Sequence, residues 1–391
     1  MARYRLSNLR HVHIYTDPDN FIAEVSLANL GQGEIVAMCF QQRGLAHTDT
    51  GSVILLRSYD NGQTWDPHTK VVVMAHEADF GYNSGAITRL SDGTLLCHAN
   101  RWQYLKNGRI DWFFGESENE GVYLARSTDK GHTWSRPERI NLAPMRNARC
   151  RDAIVERPDG TLLLPLHGFR WQRTLPDISS VERERSFVLG SDDQGRTWQY
   201  YGTMGYDPAE IVHYHEPGLC QMPNGRLLGL LRTQRWPHRA RVGEQMDYPS
   251  GLIFYTISDD GGISWSQPQN TKLWGYPSDC VALADGTVVA TYSYRRRPFG
   301  VHVAISPDGV SWSPDDEFKL VDYDPMAVTP VDVAKDVDPM RVVHAKELLW
   351  HIGYPSSIVL DDGSIMTGYH LYNADGRQYV EAAIYQVERL T

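Results

Sequence analysis

Five copies of one short pattern punctuate this chain and constrain its fold more than any local propensity: Ser58–Trp65, Ser127–Trp134, Ser191–Trp198, Ser258–Trp265 and, one residue shorter, Ser306–Trp312. Each runs Ser, Asp, Gly, Thr or Ser, Trp. Asp and Gly suit a tight turn between two strands, because the carboxylate accepts hydrogen bonds from turn amides and Gly takes positive φ, while the Trp covers the hairpin. A pattern recurring at this period marks a chain built from repeated supersecondary units.

A second repeat runs out of phase with the first. Asp-Gly or Asn-Gly followed by apolar residues recurs at Asp92, Asp159, Asn224, Asp285 and Asp362, with Gly33-Glu-Ile-Val as an earlier variant. Such dipeptides between β-favouring runs are the strongest short-range hairpin signal. The glycines Gly33, Gly93, Gly160, Gly225, Gly286 and Gly363 are spaced by 60 to 77 residues, room for four strands plus loops. One small sheet cannot bury both faces, whereas radial stacking against copies of itself does. The expected fold is all-β, a single six-bladed β-propeller over residues 1–391, with the Asp pattern between the third and fourth strands of each blade. The sixth unit lacks that pattern. The segments Tyr4–Ile14 and Tyr379–Val387 both read as strands, so the termini are expected to share one blade and close the ring.

The bulk properties fit a globular protein rich in aromatics, with 11 Trp and 21 Tyr among 391 residues. A formal charge of −10 leaves no basic face for counterion release, which argues against a nucleic-acid partner. The one basic run, Arg295–Arg297, reads as a solvated loop. Cys39, Cys97, Cys150, Cys220 and Cys280 are odd in number and fall about one per repeat, which predicts buried thiols and no disulfide framework. No apolar stretch reaches membrane-spanning length and the N-terminus lacks a signal-peptide core, so no membrane partner and a cytoplasmic location are expected.

The Asp patterns, the ring of hairpins and the segment from Arg43 through Asp49 to Asp60 resemble the sialidase (neuraminidase) superfamily over essentially the whole chain. In a propeller the innermost strand of each blade lines the axial channel, so its start and the end of the second strand face one bowl. Upstream of each hairpin this gives Glu24, Asn83, Arg151 with Asp152, His215 with Glu216, Ser278 with Asp279, and Tyr354 with Ser356. Downstream it gives Arg43, His98 with Arg101, His167 with Arg170, Arg232, Arg295 and His370. Polar and charged residues where strands should be buried point to a solvated site.

The resemblance implies roles. Sialidases use an Arg triad for the substrate carboxylate, a Tyr nucleophile assisted by a Glu, and an Asp acid/base in the first blade. The stretch His215-Glu216-Pro through Arg232 is similar to the one supplying the Glu and a triad Arg, Gly353-Tyr354-Pro-Ser-Ser resembles the nucleophile segment, and Asp49 falls where the acid/base Asp is expected. Two triad arginines have no match: Phe21–Glu24 and Tyr276–Asp279 carry acids instead. Bidentate arginines hold sugar carboxylates, so sialic acid is expected to be a poor ligand unless Arg151 or Arg295 rebuilds the clamp.

Glycoside hydrolysis needs one group to protonate the leaving oxygen and one to attack or stabilise the anomeric centre. Glu216, Tyr354 and Asp49 are the expected catalytic residues. Glu24, Arg43, Asn83, Arg101, Arg151, Asp152, His167, His215, Arg232, Asp279 and Arg295 are the expected substrate contacts. A pair among the acids Asp49, Glu24, Asp152, Glu216 and Asp279 would allow an inverting route instead. His213 and His215 share a strand face and could ligate a metal with His167 or His351, but hydrogen bonding to sugar hydroxyls is favoured, and no metal or cofactor is expected. The resulting expectation is an exo-acting glycoside hydrolase acting on a terminal sugar of an oligosaccharide or glycoconjugate, and not on ordinary sialic acid. A uronate-directed polysaccharide lyase and a non-catalytic carbohydrate-binding propeller are the alternatives.

Overall fold

The computed structural model describes residues 3–42, 51–103, 119–170, 184–209, 212–234, 251–329 and 351–390. The Asp-Gly and Asn-Gly pairs form the turns for which they were singled out. Gly93, Gly160, Gly225, Gly286 and Gly363 take φ between +81° and +88°, a region closed to most side chains. In the first of these hairpins Gly93 N–H donates to Leu90 O at 2.9 Å and Leu90 N–H to Thr94 O at 2.8 Å, while Asp92 Oδ1 accepts from Thr94 N at 2.8 Å.

The strands assemble into antiparallel sets. The first comprises Phe21–Gly31, Glu34–Gln42, Gly51–Ser58 and Asp66–Met74; the second comprises Phe80–Arg89, Leu95–Gln103, Asn119–Ser127 and Glu138–Arg139. A single pair, Gly51 with Tyr82, joins these two into one eight-stranded sheet. The third set opens on a broken strand, Met145–Cys150 and Val155–Glu156, followed by Leu162–Arg170, Glu184–Ser191 and Gln199–Tyr206. The fourth is His213–Gln221, Leu227–Gln234, Leu252–Ser258 and Gln269–Trp274; the fifth is Ser278–Ala282, Val288–Tyr294, Gly300–Ser306 and Glu317–Asp322. The sixth takes Gly353–Val359, Ile365–Tyr372 and Gln378–Arg389 from the C-terminal region and Tyr4–Thr16 from the N-terminal one. Tyr4 pairs with Arg389 and Thr16 with Tyr379, so the two ends of the chain share a sheet, as the strand-like termini suggested.

The hydrophobic core lies between neighbouring sets. Met38 and Leu55 of the first pack with Cys97 and Ala125 of the second. Leu96 and Val122 of the second meet Leu164 and Phe187 of the third. The succession continues through Leu163 with Leu227, Leu228 with Ala290, and Val289 with Ile365, until Ile35 of the first set meets Met366 and Ile384 of the sixth. The first strand of the first set touches the first strands of both the second and the sixth, which closes the succession on itself.

The first four Asp patterns form the same knot between a third and a fourth strand, and the shorter fifth keeps its Asp and Trp bonds while Ser306 Oγ donates to Ser311 O at 3.0 Å. In the first copy Asp60 Oδ1 accepts from Ser58 Oγ at 2.8 Å and Thr64 N at 2.9 Å, Gly62 N donates to Ser58 Oγ at 3.0 Å, and Trp65 Nε1 donates to Gly62 O at 3.1 Å. Third strands run away from the end at which first strands begin, so these knots and the Asp-Gly turns sit at the end opposite the bowl. The five cysteines are buried free thiols.

The shared terminal sheet makes a prediction. Ile14 is 2 % exposed and packs with Val380 and Ile384, whereas Arg5 pairs with Glu388 at the surface. Ile14→Ala should cost about 2–5 kcal/mol in urea unfolding, and Arg5→Ala less than about 1 kcal/mol. Equal, small losses would show that the N-terminal strand is not part of the core.

Candidate functional site

The bowl is shaped by a defect repeated in the first strands. In the first, second, third, fourth and sixth sets the ladder slips by one residue, at Ala23/Ser26, Asn83/Gly85, Arg146/Arg149, His215/Gly218 and Gly353/Ser356. At each slip a non-glycine residue takes left-handed φ: Glu24 (49°), Ser84 (41°), Asn147 (47°), Glu216 (39°) and Tyr354 (49°). Such bulges bend a strand and re-aim a side chain, and left-handed non-glycine backbone costs of order 1–3 kcal/mol, so its recurrence at one level marks a site. The fifth set pairs Ser278 to Ala282 without a slip.

Glu216, Tyr354 and Arg232 come together here. Arg232 Nη1 donates to Glu216 Oε2 within hydrogen-bond reach, and Glu216 N donates to His167 Nδ1 at 3.2 Å. Burial would raise the Glu216 carboxyl, but Arg232 and His167 outweigh it and hold it down at about 2. The Tyr354 hydroxyl lies 3.1 Å from His351 Nε2, its amide donates to Ser293 Oγ at 2.9 Å, and its ring stacks on His370 at 5.6 Å. Burial, reinforced by the charge of Glu216, pushes the phenol up to about 12, with Arg295 opposing. The hydroxyl therefore keeps its proton at rest, with an imidazole nitrogen beside it.

Arg295 donates through Nη2 to Ile352 O at 3.2 Å. Its guanidinium lies 5.0 Å from the Tyr354 ring and 5.8 Å from the Tyr276 ring, and that of Arg232 lies 4.6 Å from the Tyr276 ring. Arg151 is committed elsewhere, donating through Nη1 to Ser278 O at 3.2 Å and through Nη2 to Pro355 O. Arg101 sits toward the rim over Phe80 at 4.1 Å, with Glu77 Oε1 at 3.1 Å.

Asp152 and Asp279 bond to the framework. Asp152 accepts from Ala153 N at 2.9 Å and Leu219 N at 2.8 Å; Asp279 accepts from Cys280 N at 2.8 Å and from Ser357 N. Burial raises both carboxyls, and their mutual proximity raises Asp279 further, against the pull of Arg151. Two such acids in one dry place hold a proton between them. Asn83 turns its Oδ1 to Trp102 Nε1 at 2.6 Å, and the bulged residue at that level is the next one, Ser84. Glu24 accepts from Ser84 Oγ, and its amide donates to His370 Nδ1 at 3.2 Å. A small cavity beside Tyr354 is lined by Glu24, Arg151, Asp152 and Ser356. Asp49 and Arg43 lie outside the described residues.

Residues that the sequence did not single out for the bowl include Ser84, Asn147, Ser293 and Glu184. Glu184, buried at the start of a third strand, has Oε2 3.2 Å from His215 Nε2 and 3.4 Å from His213 Nδ1. An acid among the apolar positions of a strand was its only trace. His167, Glu184 and His215 offer donor atoms within 4.8 Å of one another.

A family model for the BNR repeat-like domain matches residues 109–367. A sialidase of Bacteroides fragilis (strain YCH46) is 22 % identical over 309 residues, covering 70 % of this chain and 50 % of that protein, so the chain spans about half the length of that relative. Among solved structures, a protein of unknown function from Dyadobacter fermentans DSM 18053 superposes with a TM-score of 0.76 at 22 % identity, covering 99 % of this chain and 100 % of that one. The α-L-arabinanase of Penicillium chrysogenum complexed with arabinobiose gives 0.61 at 14 % identity, covering 96 % and 97 %. At these identities the structural likeness shows the fold.

The proton shared by Asp152 and Asp279 predicts a pH signature. Because their native values are raised, this pair contributes stability that is present below the ordinary carboxyl value and lost as pH rises through the raised one. Asp279→Asn has no proton to lose there, so in denaturant titrations its stability relative to wild type should increase as pH rises from about 4. A difference that does not vary with pH would mean that both acids ionise normally.

Proposed function

The chain belongs to the BNR repeat-like domain family, within the sialidase-like superfamily, and from that premise we propose that it is a six-bladed propeller, one domain over residues 1–391, and an exo-acting glycoside hydrolase. Its substrate on this reading is a terminal sugar of an oligosaccharide or glycoconjugate, other than ordinary sialic acid. One observation carries the reading: Tyr354, with an imidazole beside its hydroxyl, and Glu216, paired with Arg232, stand on matched left-handed bulges of two first strands.

Tyr354 Oη attacks the anomeric carbon, forming a Tyr–glycosyl bond as the bond to the leaving oxygen breaks, and the phenolic proton passes to His351 Nε2. Glu216 keeps its negative charge beside the reacting centre and stabilises the oxocarbenium-like transition state. The leaving oxygen takes a proton from an acid, a role proposed for Asp49. In the second step Asp49, now a carboxylate, takes a proton from water as its oxygen attacks the anomeric carbon, the Tyr–glycosyl bond breaks, and Tyr354 Oη regains its proton from His351, with overall retention. A phenol carries less charge than a carboxylate when it attacks, which limits repulsion in a bowl that already holds Glu24 and Glu216.

The substrate follows from the cations. Arg232 is paired with Glu216, Arg151 donates to two carbonyls, and Arg295 donates one N–H to Ile352 O while its guanidinium lies near the Tyr276 and Tyr354 rings. A bidentate clamp for a sialic acid carboxylate needs more than this. The similar fold of an arabinanase supports neutral sugars as substrates of such a scaffold.

A panel of terminal-sugar substrates tests the reading directly. Sialosides should be turned over at least about 10²-fold more slowly than the best neutral sugar, a loss in the range seen when a polar clamp is missing; efficient sialic acid release would overturn the assignment of Arg295. Glu216→Gln should lower turnover by roughly 10²-fold or more. Tyr354→Phe should abolish turnover while sugar binding survives, and near wild-type activity would reduce Tyr354 to a wall of the bowl. An unsaturated product absorbing in the ultraviolet would replace hydrolysis by lyase chemistry.

A further inference from the structure

Two imidazoles perform matching tasks beneath the bowl. His167 Nδ1 accepts the amide of Glu216, and His370 Nδ1 accepts the amide of Glu24, each at 3.2 Å. A neutral imidazole that accepts at Nδ1 carries its proton on Nε2. For His370 that proton meets a simple acceptor, His351 O at 3.0 Å. For His167 the facing group is Glu184, whose Oε1 lies 3.9 Å from Nε2. At 3.9 Å this is longer than a hydrogen bond, so Glu184 acts on the His167 ring through its charge, which favours the proton on the facing Nε2.

The surroundings of Glu184 keep this order. His213 and His215 approach its Oε2 at 3.4 and 3.2 Å, and Glu184, His167, His213 and His215 are all buried. Burial drives His167 down to about 4 and His215 to about 3, despite the opposing charge of Glu184, so both rings are neutral; Arg149 and Arg232 push His167 further the same way and Glu216 opposes them. Burial would raise Glu184 itself, but His215 and His213 lead the groups that hold it near 2. The cluster therefore sets a carboxylate beside two neutral rings, His167 and His215.

We propose that Glu184 is a positioning residue: by fixing the His167 tautomer, it keeps Nδ1 available to the Glu216 amide and so holds the left-handed backbone from which the Glu216 carboxylate is aimed. By residue type alone the cluster would also suit a divalent cation. A metal-bound imidazole ordinarily donates its second N–H outward, whereas His167 presents a lone pair to an N–H at that place. The Glu216 amide accordingly decides for proton order over metal ligation.

The test has an arm that needs no substrate. In 15N-histidine spectra of the wild-type protein at about pH 7, His167 should show a protonated Nε2 and a bare Nδ1. Glu184→Gln should mix the two tautomers. A protonated Nδ1 in the wild type would overturn the proposal, as would a stoichiometric metal that survives dialysis against chelator and disappears in Glu184→Gln. The activity arm rests on the hydrolase reading: His167→Leu should lower kcat by about 10²-fold, the scale of a misplaced catalytic group, with KM nearly unchanged. His167→Asn, whose Oδ1 stands near the Nδ1 position, should recover most of that loss. A failed substrate screen with the expected spectra would sink the hydrolase reading and leave the role of Glu184 standing.

Discussion

The inner strand of every set presents a bare edge to its neighbour, and the fold depends on how those edges are satisfied. Buried amides without partners are costly, and no sheet ladder continues across most junctions. Side-chain oxygens replace it. Ile87 N donates to Ser26 Oγ at 3.1 Å, Ile154 N to Thr88 Oγ1 at 2.9 Å, Leu219 N to Asp152 Oδ2 at 2.8 Å, Ser357 N to Asp279 Oδ2, and Leu27 N to Ser356 Oγ at 3.1 Å. Between the fourth and fifth sets the backbones close up instead, and a Cβ on Gly218 would stand 2.9 Å from Ser278 O. These bonds set the spacing of the inner strands, and the apolar clusters outside them fill the wedge that this spacing leaves.

The same strands carry the site because their upper ends are not regular. A slip of one residue turns Glu24, Ser84, Asn147, Glu216 and Tyr354 out of the alternation, and each slip costs backbone strain that the surrounding hydrogen bonds must hold. His167, His370 and Ser293 supply three of those bonds, through the amides of Glu216, Glu24 and Tyr354. A fold shared with sialidases and an arabinanase leaves the chemistry to such local choices.

Charge explains why some acids belong to the framework and others to the bowl. Asp152 and Asp279 each give one oxygen to the amide of the next residue and the other to an amide of the adjoining set, which ties both carboxyls to the framework. Glu216 meets a guanidinium and keeps its charge at the solvent side of the same strands. From sequence these acids look alike, since all stand a few residues before an Asp-Gly or Asn-Gly turn. Only the direction of the side chain separates them, and a one-residue slip reverses that direction. The exchange of Asn83 for Ser84 has the same cause: strict alternation places Asn83 in the bowl, and the bulge hands the place to its neighbour.

The sequence by itself determined the turns, the period, the order of strands within each set and the meeting of the termini. These follow from local chemistry: a Gly that tolerates left-handed φ, an Asp that collects turn amides, and a Trp that covers them. It also pointed to Glu216, Arg232 and Tyr354, because their neighbours match a known pattern. The tertiary structure alone decided which polar residues share a proton, which arginines remain for a ligand, and that Glu184, more than thirty residues before Glu216, lies against the imidazole that holds it. Those outcomes depend on bulges and on contacts between sets, where a shift of one residue or a few ångströms changes the partner, and no local pattern along the chain records it.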